Sequence, residues 1–188
     1  DTVMGRMCKL VQDPEPPLEP IAPGLDYGVV SEPYYGIPVE ERVLAGLEGM
    51  PEALRPQAPA LFAASEDTKM LAHNGLHAAL GCLGWLRDAR RFDQLRDDAQ
   101  LMELAHRLLT AEAAPALLRK HGAALDRSEL LNYTDWILRR TTCPVFADPI
   151  ERGVRGIMRK LEPWERLIYG LRTVAQQGIE PEVFAGTV

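Results

Sequence analysis

Five of the ten residues from 14 to 23, PEPPLEPIAP, are prolines. Each locks φ and removes a backbone donor, so this stretch can be neither a helix nor a central strand and reads as an extended connector. Just beyond it, DYGVVSEPYY at 26–35 sets Val29 and Val30 between tyrosines and predicts one short strand, ended by Pro38. From about Val39 the chain is rich in Ala, Leu, Glu and Arg, with apolar positions three and four apart. The expected fold class is mainly α, a multi-helix domain with a short strand or extended segment near the N-terminus. The expected division is 1–38 as connector and strand and 39–188 as the helical domain.

Four helices are predicted. Ser65 with Glu66 and Asp67 behind it looks like a cap and an acidic first turn for a buried helix running to Leu86. A second is expected from Phe92 to Gly122, interrupted near Pro115. Asp126 with Glu129 three residues on caps a third, with Leu130, Leu131, Tyr133, Ile137 and Leu138 on its apolar side and its end before Pro144. Pro163 opens the last, through Gln177, and Gly178 stops it. Trp85, Trp136 and Trp164 are expected in the core or at a domain interface.

The chain has 188 residues, 46% of them hydrophobic and 26% charged, enough to fold around one core. Its 21 Lys and Arg against 27 Asp and Glu give a net charge of −6, with Arg dispersed among acids, so no nucleic-acid surface is expected. No apolar run reaches the roughly 20 residues that span a bilayer, and no charged-then-apolar leader is seen, so a cytoplasmic protein that does not enter the membrane is expected. Cys8, Cys82 and Cys143 are odd in number and widely spaced, which suits buried thiols better than disulfides or a zinc ribbon. The sequence has no G-x-G-x-x-G and no G-x-x-x-x-G-K-[ST], so a nucleotide site would have to come from elsewhere.

The predicted buried helix carries a polar stripe. At about 100° per residue, with Lys69 at zero, His73 falls near about 40°, Glu66 about 60°, His77 about 80° and Asn74 about 140°, so five polar groups share one face. Gly81 and Gly84 on the same side leave room for a ligand or a neighbouring helix. Buried polar groups cost about 1–3 kcal/mol each unless partnered, so the stripe calls for a reason. His73 and His77 at i, i+4 with Glu66 suit a one-helix metal site, although an ammonium at Lys69 would repel the cation. A second reading leaves His73 and Asn74 hydrogen-bonded at a helix junction while Lys69 snorkels to water. A third is catalytic: a desolvated Lys69 as general base, with Asn74 and His77 binding and polarising a substrate hydroxyl.

Lys69-x-x-x-x-Asn74-x-x-His77, followed by AALGCLGWL, resembles the K-x-x-x-x-N-x-x-H motif of the mannitol dehydrogenase family, the polyol-specific long-chain dehydrogenases. DTVMGRM at 1–7 resembles the stretch just after that family's dinucleotide-binding domain, and SEPYYGIPVEE its acidic-proline-aromatic segment. LRRTTCPVFADPIERGVRGIMRKLEPWERL, 138–167, resembles its R-F-x-N-P-x-x-x-D run and R-x-x-R-x-x-x-R-K-L segment. Within the family the RKL ending is most similar to the mannitol-1-phosphate 5-dehydrogenase branch. The resemblance implies metal-free, NAD-dependent oxidation of a polyol or polyol phosphate. Lys69 would be the general base, Asn74 and His77 would polarise the reacting oxygen, and an N-terminal Rossmann domain absent from this chain would hold the NAD.

Arg152, Arg155, Arg159 and Lys160 form the one dense basic cluster, suited to a phosphate or several hydroxyls, or else to surface salt bridges. Arg152 and Lys160 match the family's substrate-binding positions. Departures are Arg-Gly-Val-Arg-Gly-Ile where the family has R-V-G-R-D-P, Gly81-Cys82 at the usual Tyr, and Ile37 where phosphate-using members carry Trp. Glu66, one turn before Lys69, is a candidate proton relay or a dipole-compensating acid. His73 is expected to support the motif residues from behind. An alternative function is a stand-alone helical binding or interaction domain without the redox chemistry. In isolation, an apolar face meant for the missing domain is expected to drive dimerisation.

Overall fold

Pro59, with its preset φ and missing N–H, opens the helical part of the chain at the first position of α1 (Pro59–Thr68). The computed structural model describes residues 8–12, 22–24, 27–31, 36–46, 49 and 51–188. They belong to two compact units, residues 1–57 and 58–188. The proline-rich connector, apart from its last two residues, lies outside the described residues, as does the segment 1–7.

In the first unit β1 (Cys8–Gln12) pairs antiparallel with β2 (Tyr27–Ser31), Cys8 opposite Ser31 and Gln12 opposite Tyr27. β3 (Ile37–Glu40) pairs in parallel with β4 (Leu54–Gln57). The strand expected around Val29 and Val30 is β2. Pro38, expected to end it, instead lies inside β3, and Pro56 lies inside β4. Both strands of a two-stranded ladder are edges, where a missing N–H is tolerated. Among the described residues α-helix therefore begins later than Val39: those from 37 to 57 hold strands and a 3-10 turn, Glu41–Leu44, and Pro51, Pro56 and left-handed Gly46 and Gly49 oppose a helix there.

In the second unit α1 runs without a break into a π-helical segment, Lys69–Gly75, and then α2 (Leu76–Trp85). Ser65 is not a cap but lies inside α1, because buried Phe62 and Ala64 extend the apolar stripe upstream. The expected long helix is divided: a 3-10 turn Phe92–Asp97, then α3 (Ala99–Arg107) capped by Asp98, a π-helical segment Leu108–Ala113, and α4 (Ala114–His121). Pro115 falls in the first turn of α4, where the ladder widens instead of breaking. α5 (Arg127–Thr141) is capped as expected, the Asp126 carboxylate accepting from Glu129 N–H at 2.9 Å. α6 (Ile150–Val154), α7 (Ile157–Lys160), α8 (Arg166–Gln176) and α9 (Glu182–Gly186) follow. α8 starts three residues after Pro163, and α9 was not expected. The fold is mainly α.

Leu71, Leu76, Leu80, Phe92, Ile137 and Leu167 are among the buried side chains of a single core. The tryptophans are not in it: Trp85, Trp136 and Trp164 are all exposed. Cys82 and Cys143 are half-buried free thiols. Among the described residues no helix is long and apolar enough to cross a membrane.

Two contacts position the central helix. α2 and α6 meet backbone to backbone, since a Cβ on Gly81 would lie 2.5 Å from the Gly153 Cα. The loop before α6 is pinned by Phe92 N–H donating to Asp148 C=O at 2.9 Å and Ile150 N–H to Arg90 C=O at 3.0 Å. At the other end, the buried Glu112 carboxylate accepts from Val183 N–H at 2.6 Å and Phe184 N–H at 3.1 Å, anchoring α9. The Phe184 ring is then seated against Gly75 and Gly170.

Gly81→Ala forces backbone apart and is expected to cost about 1–3 kcal/mol. Gly84→Ala meets only the side-chain ends of Ile150 and Leu95 and should cost less. Urea unfolding of the two variants checks the order.

Candidate active site

Lys69 opens the π-helical segment and Asn74 lies five residues later within it. A π-helix bonds i to i+5, so five residues make about one turn. Asn74 is thereby brought closer to the line of Lys69 than the about 140° of ideal α-geometry. Lys69 is half-buried. Burial pushes its ammonium below the ordinary lysine value and the charge of Arg166 adds to this, while Glu66 opposes. Glu66 is exposed, one turn earlier on α1. The Asn74 amide is half-buried and makes no hydrogen bond among the described residues.

His77, in the first turn of α2, has Nε2 at 3.0 Å from Asp148 Oδ2 and stacks on the Phe92 ring at 4.4 Å between centroids. Asp148 is 4% exposed. Its other oxygen accepts from Arg152 Nη1 at 2.6 Å, so one carboxylate joins His77 to Arg152. Burial lowers His77 against the pull of Asp148, and the charges of Arg152 and Lys160 lower it further. Burial would raise Asp148, but its bonds and charge pairing with His77 and Arg152 hold it below the usual carboxylate range.

The basic cluster separates into different tasks. Lys160 is 2% exposed and donates to the carbonyls of Arg152, at 3.0 Å, and Gly153. Burial, with the charges of Arg166, Arg159 and Arg155 adding to it and Cys82 opposing, lowers Lys160 to about 8. Arg159 is paired with Glu165. Arg155 is exposed and makes no ion pair among the described residues. Arg166, not singled out from sequence, acts on both Lys69 and Lys160. Asp148 was missed as well. Both lie inside the segment 138–167, but each matters through residues far along the chain, for which no local pattern exists.

The two histidines of the stripe turn to different partners. His73 Nε2 accepts from Arg140 Nη1 at 3.0 Å, and its Nδ1 lies 3.4 Å from the Tyr133 hydroxyl. His73 and His77 thus have different hydrogen-bond partners among the described residues. Among the described residues no group of three or more His, Cys, Asp or Glu is arranged to hold a metal ion. Behind the stripe, Asp67 takes Lys120 at 2.7 Å, His121 at 2.7 Å and the Tyr169 hydroxyl at 2.5 Å, bracing α1 to α4 and α8.

Residues 63–188 match the family described as the mannitol dehydrogenase C-terminal domain. The chain is 28% identical over 122 residues to a mannitol-1-phosphate 5-dehydrogenase from Emericella nidulans, covering 65% of this chain and 31% of that protein. It is 30% identical over 122 residues to one from Arthrobacter sp., covering 65% and 31%. With one from Pseudarthrobacter chlorophenolicus it is 27% identical over 170 residues, covering 88% and 41%. The matched part of the chain thus spans well under half the length of these relatives.

Lys160 generates a stability prediction. Its ordinary value is 10.5 and its folded value about 8. Between those values the unfolded chain binds more protons than the folded one, so stability contributed through this group rises with pH across the window. Lys160→Met removes that dependence. The gap in melting temperature between wild type and variant should change in favour of wild type from pH 8 to 10, read by thermal unfolding.

Proposed function

Because the chain belongs to the family of mannitol dehydrogenase C-terminal domains, we propose that it is the substrate-binding and catalytic part of a polyol dehydrogenase acting on mannitol or mannitol 1-phosphate. The observation that carries this reading is Lys69, held half-buried with its proton affinity lowered, and Asn74 set one π-turn above it. A general base must be unprotonated near the working pH and within reach of the proton it removes.

NAD is the expected hydride acceptor. Among the described residues the strands pair only in twos, and none leads through a glycine-rich loop into a helix, so the residues here do not fit a dinucleotide. The nucleotide-binding domain is a proposed partner of this chain within the same protein. This chain's own part is to hold the alcohol and take its proton. Asn74 and His77 hold the substrate at the reacting end, Lys69 accepts the proton of the reacting hydroxyl, and exposed Glu66 passes that proton towards water. Arg152 keeps part of its guanidinium fork for other hydroxyls, since Asp148 takes one nitrogen. Arg155, without an ion pair among the described residues, is the cluster member best placed to meet a phosphate.

NAD-linked oxidation by the intact protein tests this. The rate should rise with pH through a single ionisation lying below the ordinary lysine value, and Lys69→Ala should lose about 10³-fold. Glu66 raises Lys69 and Arg166 lowers it, so Glu66→Gln should move the midpoint to lower pH and Arg166→Met to higher pH. Shifts in the same direction would remove Lys69 as the base. Arg155→Ala should raise KM for mannitol 1-phosphate about tenfold, the loss of one charged hydrogen bond, and leave KM for mannitol unchanged. An enzyme inert towards both substrates would point to a binding domain.

A further inference from the structure

The carboxylate of Asp148 is almost fully buried, yet both its oxygens are engaged, one by His77 Nε2 at 3.0 Å and the other by Arg152 Nη1 at 2.6 Å. Its main chain is also held, the carbonyl by Phe92 N–H and the following residues by a bridge between Pro149 and Arg91. The carboxylate is thus a rigid group, placed before any ligand arrives.

An ionised carboxylate has no hydrogen to give and can only accept. Arg152 keeps Asp148 in that form at neutral pH, and His77 is held below the usual histidine value, so the ring is neutral with one N–H. That hydrogen must lie on Nε2, where the acceptor is. Nδ1 then carries a bare lone pair, and it makes no hydrogen bond among the described residues. The ring lies stacked on Phe92, 4.4 Å between centroids, with Nε2 turned to Asp148.

We propose that Asp148 is a positioning residue that fixes His77 as the Nε2–H tautomer, so that Nδ1 accepts a hydrogen bond from a substrate hydroxyl next to the reacting one, whose own proton goes to Lys69, while the Asn74 amide is the donor to the reacting oxygen. This rests on the polyol dehydrogenase reading for its substrate and gives the two motif residues opposite polarity. The same carboxylate aligns Arg152, so the group that orients the base side and the group that binds the remaining hydroxyls share one anchor.

The test uses the intact protein, with histidine ring nitrogens labelled for NMR and His77→Gln to assign the signals. In wild type, Nε2 should show the protonated and Nδ1 the unprotonated ring-nitrogen signature. Asp148→Asn is isosteric, but its amide can either accept or donate, so the single tautomer should give way to a mixture. KM for the polyol should rise about tenfold, the value of one lost charge-assisted hydrogen bond, with kcat changed much less. Asp148→Ala should raise KM further, with Asp148→Asn as partial rescue. Nδ1–H in wild type, or an unchanged tautomer in Asp148→Asn, overturns the proposal whether or not polyols are oxidised. A tautomer that responds as stated in a protein inert to polyols supports Asp148 as the group that sets His77 and sinks the polyol reading instead.

Discussion

Two glycines in backbone contact govern the geometry of this site. With no side chain on Gly81 or Gly153, α6 approaches α2 closely enough for the residues at its start to reach His77. Asp148 and Arg152 come from that start, and Lys160 closes it from the far side by donating to the carbonyls of Arg152 and Gly153. Those carbonyls belong to the last turn of a short helix, where no intrahelical partner exists. A buried ammonium therefore does two things at once: it satisfies the end of α6 and adds positive charge beside the imidazole.

Charge is distributed unevenly around this contact. Arg166, Arg159 and Arg155 all act on Lys160, and Arg166 acts on Lys69 too. Guanidinium groups stay protonated at any accessible pH, so the burden of shedding charge falls on the lysines. Burial is the larger cause at both and the arginines reinforce it, which produces one amine suited to proton transfer and another that serves the backbone. Asp148 is the compensating acid on the histidine side, and Glu66 on the lysine side.

Much of this was legible in the sequence. The cap at Asp126, the apolar spacing of α5 and the placing of Lys69, Asn74 and His77 on one buried helix follow from local pattern alone. The π-winding between Lys69 and Gly75 does not, since its residues are ordinary helix formers and the extra residue per turn is stabilised by what packs around it. Ideal α-geometry put Asn74 on the face of Lys69 but towards its edge, and the wider winding brings it closer. Ser65 resembled a cap because a hydroxyl followed by two acids is the usual pattern of a helix start, although the chain has already entered the helix at Pro59. Arg166 and Asp148 acquire their roles from partners dozens of residues away, and α9 at five residues is too short to carry a periodic signal.

Phe184 is seated against Gly75, behind the turn that carries Lys69 and Asn74, and Glu112 holds it there through the backbone of α9. Domains fold as units as the chain leaves the ribosome from its N-terminal end. The motif helix is among the first helices of this unit to be synthesised, while its backing is among the last. During translation the turn bearing Lys69 and Asn74 therefore waits without its support until residue 184 has emerged, so this part of the unit is joined to its backing only after the helices between them have been made.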